Sequence, residues 1–489
     1  MADLQSPHDR YQSPLAGRYA SDEMQRIWSA RHKFGIWRKI WLAVAEAQHE
    51  CGLPVSKEQI KELRANLEVT DEDIASASKY EAELRHDVMA QVHAWGDRCP
   101  QARGIIHLGM TSQDINDNCE LLLLHQATGL IRERAARLQI VMASFAERWI
   151  ATPTLGFTHY QPAQPTTVGR RAVQWAYDLH CATRPFDATA GQARGLRGAT
   201  GTQASYLALF NNDASKVADL EDRFRANMQR VLDESDRPLF ASAHPLVSQT
   251  YPRIFDAHVV SSLAAVCAVL HKCATDIRLL SNRKELDEPF AEKQIGSSAM
   301  PYKRNPMRCE RVCGLARFVW NLVGNTYDTA ATQWLERTLD DSANRRLTLP
   351  EAFLATDACL SIMTNVMSGL IVHEATVRKN LMAELSFMAS ENLMMEAVKR
   401  GKDRQEVHEA IRQHAQLAGS RVKDEGAEND LIDRLRGEPL LEGVDLDTAL
   451  DPSKYVGLAV EQTEAFIRDY IQPLREEYGE QAEAADLRL

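Results

Sequence analysis

Basic charge is in short supply in this sequence. Its 489 residues hold 57 Lys and Arg against 68 Asp and Glu, a formal net charge of −11. That balance argues against a general nucleic-acid or membrane-surface binder, so any anion must be met by cations gathered locally. Long apolar runs are scarce too. The longest, Val259 to Leu270, is interrupted by Ser261 and Ser262 and halts at His271, too short to span a bilayer. No two of the nine cysteines have C-x-x-C spacing. Their odd number suits free, buried thiols in a reducing compartment. The first residues, with Asp3, His8 and Asp9, show no basic-then-apolar leader pattern, which points to the cytoplasm. P-loop, G-x-G-x-x-G and H-E-x-x-H motifs are missing, as is any Cys/His set with zinc spacing. His86 and His93 share a helix face at a spacing of seven, but two ligands do not make a metal site.

What is present reads as helix. From Ile131 the apolar positions Ala135, Leu138, Met142, Phe145 and Trp149 recur in steps of three and four, one face of a long helix. Thr111-Ser112-Gln113-Asp114 fits a capping box and starts it. Helices are also expected over His32–Cys51, Val168–Ala193, Arg253–Ser281, Phe318–Gln333 and Leu349–Val372. Few runs alternate with period two, so little sheet is expected. Long helices of this kind imply a bundle. Soft boundaries fall near Thr111 and His373, dividing the chain into 1–111, a central 112–372 and 373–489. The acidic tail after Arg475 reads as a solvated end.

Three segments interrupt the helices: Thr152–Thr167, Gly191–Gln203 and Phe290–Pro306. Long irregular segments in a compact protein are often functional. Lys293 to Arg311 holds five cations against Glu310, a local balance of +4. On spacing alone, a mobile anion-binding loop and a solvated surface loop are equally good readings. His159, among prolines, reads more readily as structural than as catalytic. Arg337, Arg345 and Arg346 stand near Ser342 and suit a phosphate or carboxylate, with helix-surface pairs to Asp340 and Asp341 as the alternative.

Gly296 to Pro306, GSSAMPYKRNP, closely resembles the signature loop of the fumarase/aspartase superfamily, G-S-S-x-M-P-x-K-x-N-P. Its Ala-Met-Pro-Tyr-Lys-Arg-Asn-Pro form is similar to that of the adenylosuccinate lyases. The likeness extends through SPLAGRYAS (Ser13–Ser21), LRHDVMA (Leu84–Ala90), HLGMTSQDINDN (His107–Asn118), GFTHYQPAQPTT (Gly156–Thr167), RGATGTQAS (Arg197–Ser205), SQTYPR (Ser248–Arg253) and WLERTLDDSANRR (Trp334–Arg346).

The resemblance implies a C–N lyase that releases fumarate by β-elimination, from adenylosuccinate and from the succinylated carboxamide ribotide of purine synthesis. It implies an all-α, three-domain fold with a central long-helix bundle, and a homotetramer whose sites draw on three subunits. It implies neither metal nor cofactor. Ser297 matches the base, Lys303 its electrostatic support, His159 the general acid and Glu310 the carboxylate that orients it. Arg85, His86 and Asp87 match the substrate-binding stretch. Thr111, Ser112, Lys303 and Asn305 match the carboxylate-binding positions, and Gln249 and Arg311 other substrate contacts. Arg18, Tyr19, Arg337, Ser342 and Arg346 match positions near the nucleotide and its phosphate. Two other readings stay open: another lyase of the superfamily, of the argininosuccinate type, and a non-catalytic structural relative.

Overall fold

The computed structural model describes residues 9–189, 191–232, 242–291 and 293–479. The first residues of the chain and its last ten, most of the acidic tail, lie outside the described residues. The architecture is all-α. Five helices pack together at its centre: Ser112–Arg148, Val168–Thr183, Ile254–Asn282, Met307–Ala331 and Asp340–Ser368. The expected capping box is present at Thr111 and Asp114. Ile131, Ala135, Leu138, Met142 and Phe145 are buried as the periodicity predicts. Each large apolar side chain removed from water in this way contributes roughly 2 kcal/mol. The Ile254 helix packs on the Met307 and Asp340 helices, and the Ser112 helix packs on Val168–Thr183 and on Asp340–Ser368.

Several expected boundaries move. The Val168 helix ends at Thr183, where Arg184–Thr189 tightens into a 3-10 turn containing Pro185. The helix expected from Phe318 starts eleven residues earlier, at Met307, because Glu288 accepts hydrogen bonds from two of its first amides. The distances are 3.0 Å from Arg308 N and 2.7 Å from Cys309 N. The helix expected from Leu349 begins at Asp340 and carries Pro350 in its interior. The apolar stretch read as Val259–Leu270 belongs to the 29-residue helix Ile254–Asn282. By length and composition that helix could cross a membrane, and 56% of its apolar window is buried inside the protein.

Thr152–Thr167 is not irregular. Pro153–Thr158 and Gln161–Thr167 form an antiparallel hairpin, with Pro153 opposite Thr167 and Thr158 opposite Gln161. Pro153, Pro162 and Pro165 hide it from a sequence reading, yet a two-stranded ribbon has edges where a missing N–H does no harm. The register slips at Gly156, where a Cβ would lie 2.3 Å from the Gln164 carbonyl oxygen. Two shorter strand pairs, Gln192–Ala193 with Ser242–Ala243 and Leu286–Asp287 with Ile371–Val372, complete the sheet among the described residues.

One hydrophobic core runs from Leu15 to Leu370. A second lies among residues 389–446 around Leu393, Val407, Leu431 and Leu435. The chain then returns to the bundle. Ile471 packs on Ile140 and Ala143, and Arg475 makes a two-pronged ion pair with Glu147 at 3.0 and 2.9 Å. All nine cysteines are free, and all but Cys51 and Cys181 are buried.

Candidate active site

The N-terminus of the Ser112 helix is the organising point. Its free amides and positive dipole end suit an anion. Ser112 Oγ lies 3.3 Å from His86 Nε2. His86 is itself an N-cap: its Nδ1 accepts from Met89 N at 3.4 Å, starting the helix Asp87–Arg98. Arg85, just before it, closes the preceding helix in the left-handed conformation with φ 56°. The strained Arg85 thus turns the chain sharply enough for His86 to face Ser112. Asp87 holds the guanidinium of Arg346 at 2.9 Å. Arg337 donates to Gln249 Oε1 at 3.0 Å, and Gln249 in turn donates to the Ala199 carbonyl at 2.9 Å. A small cavity beside them is lined by Lys33, Arg337, Ser342, Arg345 and Arg346 together with the acids Glu120 and Asp341. Arg18 and Tyr19 lie on the short turn Leu15–Tyr19, which packs on the Asp340 helix. The structure therefore gathers most of the residues matched to substrate contacts.

These groups rest on a buried ionic network that the sequence reading missed. Asp114, Asp117 and Glu120, spaced by three, occupy one face of the first turns of the helix. Arg194 pairs with Asp114, and both side chains are fully buried. Arg253 bridges Asp117 at 3.0 Å and Asp341 at 2.9 Å. Arg345 bridges Glu120 and Asp256, the latter at 2.7 Å. Asp114 also accepts from the Thr111, Arg197 and Gly198 amides at 2.8, 2.9 and 3.1 Å, and from the Tyr206 hydroxyl at 3.2 Å. The glycine-rich segment is thereby folded against the helix start. Three acids in step beside a capping box were the available signal.

Burial opposes the charge of Glu120, but Arg345, with Lys33 and Arg253, overcomes it and holds the pKa down at about 2. The folded value lies below the ordinary 4.5. Its contribution to stability is therefore fully present above about pH 4.5 and is lost as pH falls toward 2. Glu120→Gln should cost about 3 kcal/mol at neutral pH. Urea unfolding of parent and variant should show that gap narrowing as the pH is lowered below 4.5. A gap independent of pH would contradict this account.

His107 is a second residue the sequence reading passed over. It adopts φ 69°, and its Nδ1 accepts from Trp41 Nε1 at 3.2 Å. Burial lowers its pKa to about 4. The ring is therefore neutral at physiological pH, with its proton on Nε2.

The signature segment forms a compact turn. Ser297 Oγ accepts from Ala299 N and Met300 N at 3.3 and 3.1 Å. Asn305 Nδ2 donates to the Gly296 carbonyl at 2.9 Å, closing the loop. A Cβ at Gly296 would lie 2.1 Å from the Lys303 carbonyl oxygen, so this crossing needs glycine. Lys303 is exposed, and Arg311 lies on the first turns of the Met307 helix. His159 sits at the exposed tip of the hairpin. Within the chain Glu310 faces Arg278, at 3.9 Å, rather than His159. Among the described residues, no hydrogen bond or ion pair joins His159, Ser297, Lys303 and Glu310 to one another. Among the described residues of one chain, the signature loop and the hairpin tip are thus not joined to each other by a hydrogen bond or ion pair through these four side chains.

Comparison with known proteins identifies the family. The model of a family described as "Lyase" matches residues 17–320, and that of "Adenylosuccinate lyase C-terminus" matches residues 386–466. The adenylosuccinate lyase of Saccharomyces cerevisiae is 46% identical over 466 residues, covering 94% of this chain and 95% of that protein. This chain belongs to the adenylosuccinate lyase family. The adenylosuccinate lyase of Schizosaccharomyces pombe is equally similar, 46% identical over 470 residues and 95% of each chain. Among solved structures, a fumarate lyase from Mesorhizobium sp. BNC1 superposes with a TM-score of 0.77 at 21% identity, over 94% of this chain and 100% of that one. A 3-carboxy-cis,cis-muconate lactonizing enzyme from Pseudomonas putida gives 0.78 at 24% identity, over 95% and 100%. At those identities the likeness carries the fold, which is that of the fumarate lyases.

Proposed function

We propose that this protein is an adenylosuccinate lyase that eliminates fumarate from adenylosuccinate, leaving AMP, and from the succinylated carboxamide ribotide of purine synthesis. The observation that carries this reading is the cluster at the start of the Ser112 helix. It offers a helix N-terminus with Thr111, Ser112 and His86 for carboxylates. Beside these it sets Arg337, Ser342 and Arg346 for a phosphate. A substrate with two carboxylates and one phosphate matches that arrangement.

In this reading Ser297 removes a proton from the carbon next to a succinyl carboxylate. The electron pair moves onto that carboxylate, which Lys303, Asn305 and the helix terminus stabilise. The C–N bond then breaks with its electrons going to nitrogen, and His159 supplies the proton the nitrogen needs. Arg85 and Asp87 set the backbone and the Arg346 pair around His86. Gln249 and Arg311 contact substrate, and Arg18 and Tyr19 line the nucleotide end.

The separation of His159, Ser297 and Glu310 within one chain favours a homotetramer in which different subunits complete each site. Exposed Trp334, Leu335, Leu339 and Leu347 lie beside the arginine cluster and suit burial against another copy. A division into 1–111, 112–372 and 373–489, and a cytoplasmic location, belong to the same reading. The test is an ultraviolet assay with adenylosuccinate, without added metal or cofactor and with fumarate quantified separately. Stoichiometric AMP and fumarate are expected. A folded protein with no turnover on adenylosuccinate but activity on an amino-acid succinate would move the assignment to an argininosuccinate-type lyase. No turnover on either would favour a non-catalytic relative.

A further inference from the structure

The hairpin that carries His159 is held from beneath at two points, one of which leads to a buried carboxylate. Arg171 donates to the carbonyl of Leu155. Arg283 lies over the ring of Phe157, 4.9 Å from its centroid, and its Nε is 3.0 Å from Glu285 Oε1. Glu285 is 2% exposed. Glu285 also accepts from Asn380 Nδ2 at 2.8 Å; burial pushes the pKa of Arg171 down, and the charge of Glu285 opposes that shift. Phe157 continues the chain of contacts outward, with its ring 5.8 Å from that of Tyr160.

The turn at the tip needs such support. His159 and Tyr160 have φ 53° and 57°, the left-handed pair of a two-residue hairpin turn that usually takes Asn-Gly. Neither residue adopts it without strain. Glu391 meets the second strand through Gln164 at 3.5 Å, and Gln462 meets the start of the following helix through Arg170 at 2.8 Å. The stack of Arg283, Phe157 and Tyr160 runs to the tip itself.

Glu285 is also where the signature segment begins. Its carbonyl accepts from His373 N at 2.9 Å. Leu286–Asp287 then pairs with Ile371–Val372, and Glu288 caps the Met307 helix that ends the segment. The same residue therefore meets the root of the Ser297 loop through its backbone carbonyl and, through its carboxylate and Arg283, the platform under His159.

We propose that Glu285, Arg283 and Phe157 are positioning residues that hold the strained His159 turn in its left-handed form on the bundle. This rests on the reading of His159 as general acid. The test is steady-state kinetics on the full-length enzyme with adenylosuccinate, across pH, for Phe157→Leu, Phe157→Tyr, Arg283→Met and Arg283→Lys. Phe157→Leu keeps the bulk of the core and removes the π face. A displaced general acid lowers kcat about ten- to a hundredfold while KM changes by less than about threefold. It also shifts the descending alkaline limb of kcat, where the acid loses its proton. Phe157→Tyr and Arg283→Lys, which keep the ring and the cation, should recover most of the loss. A loss uniform across pH and not recovered by these two overturns the proposal, as does unchanged kcat in Phe157→Leu and Arg283→Met. His159→Ala belongs in the same series. If it turns over normally, the general-acid reading falls and takes this proposal with it. If it is inactive while Phe157→Leu matches the parent, the positioning role alone falls.

Discussion

Ser297→Ala and His159→Ala are each expected to lower kcat by about a thousandfold, with the helical content and assembly of the protein unchanged. Neither side chain carries packing. Ser297 Oγ accepts two amide hydrogen bonds inside its own turn, and His159 stands exposed at a hairpin tip. Removing either therefore removes chemistry and little else. Proton transfer by a positioned group contributes about 10²–10⁴ in rate. The base carries the upper end here, because the proton next to a carboxylate is weakly acidic. Near-parental turnover in one variant would strike that residue from the mechanism.

The same pair tests how the sites are built. Equal amounts of the two inactive variants, unfolded and reassembled together, give mixed tetramers. If one site takes Ser297 and His159 from different subunits, half times half, about one quarter, of the sites hold both intact residues. Activity should return toward that fraction of the parent. If the two residues served the same site from one chain, no mixed site would be whole and activity would stay at the level of the single variants. Glu310 belongs to this question, since its nearest charged partner within the chain is Arg278.

How much of this was legible in the sequence depended on whether the determinant was local. The start of the Ser112 helix was, because a capping box is written in four consecutive residues. So was the burial of Ile131, Leu138 and Met142, because periodicity lies along the chain. The start of the Met307 helix was not. Its cap comes from Glu288, about twenty residues upstream, across the signature loop. The hairpin was hidden by prolines that are harmless only because both strands have open edges. The helix expected from Leu349 in fact begins at Asp340 and runs through Pro350 among buried neighbours. The site residues could be matched to a family pattern one by one. The network beneath them could not, since Arg194, Arg253 and Arg345 meet their acids across gaps of 80, 136 and 225 residues.

That network makes the second large effect. Asp114→Asn should destabilise the protein by about 3–5 kcal/mol, the usual cost of stripping one partner from a buried ion pair. Asn is nearly isosteric, so the loss is not one of packing. Both oxygens of Asp114 are acceptors for donors: Arg194 with the Arg197 and Gly198 amides on one, the Thr111 amide and Tyr206 hydroxyl on the other. An amide group puts an N–H against one of those sets and leaves the Arg194 charge buried without its counter-ion. Urea unfolding should show the shift, and Arg194→Met added to Asp114→Asn should recover part of it, because the orphaned charge goes with the arginine. A single variant within about 1 kcal/mol of the parent would mean that water reaches the pair. KM should rise in both variants, and the double variant should not restore it. The Asn oxygen can serve only one of the two donor sets, and if it stays on the Arg197 and Gly198 amides the Thr111 anchor to the helix start is lost with or without Arg194. Stability recovered without KM would separate two duties of one carboxylate: neutralising a buried arginine and holding the anion-binding turn in place.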